Sequence, residues 1–200
     1  MHARPLVLCL LLATAGCAPM LRQDYVAQAP GGQVVHSSCS FNAHVPVGVR
    51  FKVSGIEALV SLARQAGTPY VEVRLDVPEG QTVTLADGRL RIKTSNPDTS
   101  SQAEFPFVSL VDGPIVNNLS PLPGMAQHRL AITAPLVGGR IAAGRASSDR
   151  HFWLAAQVAT QEAEDLWLTL PSFRVNGAEV SLPTIHFHRQ AVVAVALINC

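Results

Sequence analysis

Charged side chains are sparse in this 200-residue chain: they make up 14% of it, against about 25% in an ordinary soluble protein. The 15 basic and 14 acidic residues nearly cancel, which excludes the basic footprint that nucleic-acid binding requires. Long apolar runs are also missing. The stretch Pro5 to Gly16 carries no charge but is twelve residues long, short of the ~20 that span a bilayer core. The usual catalytic signatures are absent: no Gly-x-Ser-x-Gly elbow, no His-Glu-x-x-His, no phosphate loop and no Cys-x-x-Cys. The chain is therefore expected not to be an enzyme, and no motif implies a cofactor. Catalytic groups can be assembled in space, so a hydrolase built that way stays open, with no residues to name. What is plentiful is apolar sequence, 48% of the chain, with 14 Gly and 14 Pro. That composition excludes intrinsic disorder, which needs low hydrophobicity and high net charge.

The first seventeen residues speak to compartment. Met1-His2-Ala3-Arg4 gives a positive start, the apolar run follows, and Thr14-Ala15-Gly16 supplies small residues directly before Cys17. A charged start, a 7–15-residue apolar stretch and small residues make a secretory signal. The segment resembles the signal of bacterial lipoproteins, although Thr14 stands where that family prefers Leu. The resemblance implies removal of residues 1–16 and fatty acylation of Cys17. Ala18, rather than Asp, after the Cys implies sorting to the outer membrane, facing the periplasm. The membrane, reached through the lipid, and a protein of the envelope are the expected partners, with no nucleic acid. Removing Arg4 with the signal leaves 14 basic against 14 acidic residues.

Of four cysteines, Cys9 leaves with the signal and Cys17 carries the lipid, so Cys39 and Cys200 remain. In an oxidising compartment a disulfide between them would persist. Closing a loop of about 162 residues would stabilise by up to roughly 5 kcal/mol. Two unpaired thiols are the alternative.

Residues 17–33 read as the lipidated Cys and a flexible tether, broken by Ala29-Pro30-Gly31-Gly32. Residues 34–200 read as one domain in which period-two alternation dominates. Val47, Val49, Phe51 and Val53 alternate with polar or small residues, as do Val71, Val73, Leu75 and Val77. Val83 and Leu85 face Leu90 and Ile92 across Asp87-Gly88, a hairpin signal. Asn176-Gly177 predicts a two-residue turn pairing Phe173 with Val180 and Val175 with Ala178. Ala191 to Ile198 predicts a last buried strand. Ser54-Gly55-Ile56-Glu57 fits a capping box, and Ile56, Leu59, Val60 and Ala63 follow helical spacing, so one short helix is expected there. Ser54-Gly55 would also suit a hairpin turn. Short strands, many turn residues and at most one helix predict an all-β fold, an immunoglobulin-like β-sandwich of about ten strands.

Two candidate sites follow. His186 and His188 flank Phe187; on a strand, residues two apart share a face, so both imidazoles can meet one metal ion. His36, His44, His128 or His151 would complete the shell. The bland reading is that alternation alone exposes two polar residues. Glu162, Glu164 and Asp165 read as a solvated turn. Trp153 and Trp167 fall on the phase opposite the leucine-rich face of their strands, outward or under a loop, where a rigid ring can anchor a ligand. The leading expectation is an exported, lipid-anchored, non-catalytic binding or structural module; a metal-binding protein using His186 and His188 is the alternative.

Overall fold

Alternation builds strands throughout the computed structural model, which describes residues 19–36, 46–65, 68–95, 100–111, 127–143, 146–158 and 163–195. The fold is all-β and sandwich-like, with no helix among the described residues. None of it therefore forms a helix long and apolar enough to cross a membrane. Cys17, Cys39, His44, Glu162 and Cys200 lie outside the described residues, and so do the signal segment and residues 196–198 of the expected last strand.

The first sheet holds β1 (Pro19–Gln28), β7 (Arg89–Thr94), β8 (Ser101–Glu104), β14 (Asp165–Thr169) and β17 (Ile185–Val195), in the order β1-β17-β14-β7-β8. The second runs β10-β9-β13-β5-β4-β3-β2. Its strands are β2 (Gln33–His36), β3 (Pro46–Val53), β4 (Ile56–Gln65), β5 (Thr68–Val77), β9 (Val108–Val111), β10 (Gln127–Leu130) and β13 (Ala146–Gln157). β12 (Arg140–Ala143) adds to β13 off that path. A smaller third sheet orders β11 (Leu136–Val137), β6 (Thr82–Leu85), β15 (Phe173–Val175) and β16 (Ala178–Val180) as β11-β6-β15-β16.

One contiguous core joins the three sheets: Leu90, Ile92, Leu166, Leu168, Ile185 and Phe187 from the first, Val49, Phe51, Val60, Val73, Leu75, Phe152 and Leu154 from the second, and Val83, Phe173 and Val175 from the third. Along each of these strands the core residues alternate with residues that point to the opposite face of the sheet. Asn176 and Gly177 have φ of 50° and 84°, and Phe173 pairs with Val180 and Val175 with Ala178, as the Asn-Gly signal predicts.

Several expectations are corrected. The segment from Ile56 is no helix but strand β4, paired with both β3 and β5. Ser54 and Gly55 form the hairpin turn instead, at φ 51° and 84°, the same geometry as Asn176-Gly177. Alternation is hidden in β4 because both of its faces are covered: Ala58 and Val60 sit in the core while Leu59 and Ser61 are buried on the other side. A strand buried on both faces loses its period-two signature.

Asp87-Gly88 makes no hairpin. β6 and β7 belong to different sheets, and the segment between them is a corner. There the Phe105 amide donates to the Gly88 carbonyl at 2.9 Å and the Arg89 amide to Asp87 Oδ1 at 2.9 Å. Neither residue adopts the positive φ of a two-residue hairpin turn. Within the expected tether, Pro19–Gln28 is strand β1, because β17 is long enough to pair it over ten residues. Ala191 and Val193 are exposed and Val192 is only partly buried, so that end of β17 is no buried strand.

A candidate metal centre on the outer face of the five-stranded sheet

Leu166 and Leu168 on β14 and Ile185 and Phe187 on β17 turn inward. Asp165, Trp167, His186 and His188 must therefore turn outward. The register sets Asp165 opposite His188 and Trp167 opposite His186. At the head of β14 the Arg189 amide donates to the Glu164 carbonyl at 2.8 Å and the Ser95 amide to the Asp165 carbonyl at 3.2 Å, which fixes the Asp165 backbone between two strands.

The three side chains converge. His186 Nε2 lies 2.7 Å and His188 Nδ1 2.9 Å from the same oxygen, Asp165 Oδ1. One ligand atom from each of the three lies within 4.8 Å of the others. Trp167 stacks on His186 with ring centroids 4.9 Å apart and planes 6° apart, which sets the orientation of that imidazole. The His188 ring is tilted 50° to that of His186 at 6.2 Å. The hydrogen bond from His188, and next that from His186, hold the Asp165 carboxyl below its ordinary value; partial desolvation opposes them.

These donors suit particular ions. Two imidazole nitrogens and one carboxylate oxygen match zinc or another late first-row divalent ion, whereas calcium and magnesium prefer all-oxygen shells. Zinc bonds of about 2.0–2.2 Å would spread the donors only to roughly 3.3 Å apart in a tetrahedron. His188 is exposed and the other two are partly so, which leaves the solvent side for a fourth ligand.

Of the residues named from sequence, His186 and His188 do share one open face. The third donor is Asp165, not a histidine. His36 is exposed on β2, His128 stands on β10, and His151 belongs to the eight-stranded sheet. Asp165 opens a strand rather than sitting in a turn, and its phase was available from Leu166 and Leu168. Trp167 faces outward as expected. Trp153 also lies off the core face but is only 6% exposed, so it presents no accessible ring for binding.

Around Trp153 lies a second polar group that sequence reasoning missed. Asp76 Oδ1 sits 2.7 Å from His151 Nδ1, and Arg74 Nη2 donates to Asp76 Oδ2 at 2.9 Å. Arg74 and His151 are both buried. Cross-strand pairing of Asp76 with His151 and of Arg74 with Trp153 assembles this group, and a partly buried carboxylate is stabilised by such partners. Separately, an open cleft of about 560 Å³ is lined by Asp87, Arg89, Arg91, Gln102, Glu179 and Ser181, among others; it mixes both signs of charge and holds no histidine or cysteine. No protein-family model matches the chain, and neither does any curated protein or solved structure.

Proposed function

We propose that this chain is an exported, lipid-anchored protein of the bacterial envelope, and a non-catalytic module that holds one late first-row divalent ion at Asp165, His186 and His188. The observation that carries the metal reading is the convergence of three donor groups from two adjacent strands onto a space less than 4.8 Å across. Two strands held in register by a ladder are a rigid platform, and rigidity is what a small metal site needs. Trp167, stacked on His186, supports one ligand from outside the donor set in the way that orienting partners tune metal sites. The anchor reading rests on the charged start, the apolar run and Ala15-Gly16-Cys17.

Calorimetric titration of the full chain with zinc tests the metal reading. One ion should bind per chain, with a dissociation constant on the order of micromolar, about 8 kcal/mol. Asp165→Ala and His186→Ala should each weaken binding by about 100-fold, at the upper end of what loss of even a supporting group costs. Binding that survives both substitutions would place the ion elsewhere and defeat the proposal. Acyl mass on Cys17 of protein taken from its native membrane tests the anchor, and its absence would remove it.

A further inference from the structure

The same β17 that carries the histidine pair continues well past the sheet. Its pairing with β14 ends at His188, opposite Asp165, whereas its pairing with β1 continues to Val195, opposite Pro19. Beyond that last rung β17 runs Arg189-Gln190 and then Ala191-Val192-Val193-Ala194-Val195, and β1 begins Pro19-Met20-Leu21-Arg22. Leu21 and Val193 are direct cross-strand partners and are 71% and 52% exposed. A single exposed aliphatic residue is ordinary. A directly paired one is less so: the edge strand β1 carries Pro19 opposite Val195 and Arg22 opposite Val192, as sheet edges commonly do, yet Leu21 and Val193 between them stay exposed together.

We infer that this end of the β1–β17 ribbon is a membrane-contacting tip that seats the domain on a lipid bilayer. The occupant follows from what precedes β1. Cys17 leads into Pro19 with Ala18 alone between it and the strand. Two residues reach about 7 Å at most. A lipid borne by Cys17 would therefore be attached within about 14 Å of Leu21 along the chain, and the first charged residue after the Cys is Arg22. Buried in the interfacial layer, the aliphatic pair adds area-dependent binding to the acyl chains, which alone anchor marginally when single. The inference rests on the lipid-attachment reading above and changes its geometry: the domain sits on the bilayer surface, not on a long tether. His188 is five residues from Val193 along β17, so the candidate metal centre stands roughly 17 Å above the tip.

The test places the full-length acylated chain in phosphatidylcholine vesicles that contain brominated acyl chains, which quench tryptophan on contact. In a Trp153→Phe, Trp167→Phe background, Leu21→Trp should lose more than half its emission, while Thr184→Trp, exposed just before β17, should lose none. Equal quenching at both positions overturns the inference. Mass spectrometry of the same preparation reports acylation of Cys17 separately. Should Cys17 prove unmodified, the full chain is added to plain vesicles with and without Leu21→Asp and Val193→Asp. A roughly 30-fold loss of partition in the double variant, from the area of the two side chains, supports the tip; equal partition refutes it. Concentration-dependent dimers that protect position 21 without lipid quenching would assign the tip to a second copy of the chain and also refute it.

Discussion

Phe187 is the residue on which the geometry of the candidate site depends, because its burial is what turns His186 and His188 outward. It is 1% exposed and lies between Ala27 of β1 and Leu166 of β14. Truncation to alanine loses about 2–3 kcal/mol of transfer free energy, and the cavity left among Leu166, Ile185 and their neighbours brings the cost to roughly 3–5 kcal/mol. With a urea dependence near 2 kcal/mol per molar, Phe187→Ala should lower the unfolding midpoint by roughly 2 M. Gln190, exposed on the histidine face of the same strand, is the internal reference, and Gln190→Ala should change stability by no more than about 0.5 kcal/mol. Circular dichroism across a urea series measures both. A one-residue slip in register would exchange the two faces of β17. A costly Gln190→Ala beside a harmless Phe187→Ala would show that slip and put the histidines inside.

Gly177→Ala should destabilise the β15–β16 hairpin by about 1–2 kcal/mol, because φ is 84° there and a Cβ disfavours it; thermal unfolding reports it, and no change would refute the turn geometry. Acrylamide should quench Trp167 strongly in Trp153→Phe and Trp153 weakly in Trp167→Phe, with the reverse order contradicting the assigned faces. The Asp165 carboxyl, held below its ordinary value in the folded chain by His188 and His186, contributes stability that is present above the unfolded-state carboxylate range and is lost as pH falls through the lower folded value. Carbon-detected magnetic resonance should show its midpoint rising toward the ordinary value when both histidines become alanine; an unchanged midpoint would exclude the hydrogen bonds as the cause.

The strands that were readable are those with one wet face. β3, β5, β7 and β17 alternate because solvent or polar partners line one side, and Asn176-Gly177 names its own turn. β4 was unreadable because Leu59 and Ser61 are covered opposite the core, so the cue that separates strand from helix disappears. Asp87-Gly88 misled because strands adjacent in sequence can enter different sheets, as β6 and β7 do. The site was half legible: His186 and His188 follow from the phase of Phe187, and Trp167 from that of Leu166 and Leu168. Their meeting with Asp165 required the β14–β17 register, which is a long-range pairing that no local pattern encodes. Arg74, Asp76 and His151 were hidden for the same reason, since their sequence separation is bridged only by the β5–β13 ladder.

X-ray absorption on protein loaded with one equivalent of zinc addresses the central claim most directly, because it counts and identifies the donors. The account predicts a first shell of nitrogen and oxygen at about 2.0–2.1 Å with the outer-shell scattering of two imidazoles and no sulfur. Sulfur scattering near 2.3 Å would assign the ion to cysteine thiolates, and a shell of oxygen alone would assign it to a weak surface position; either result contradicts a centre built from Asp165, His186 and His188.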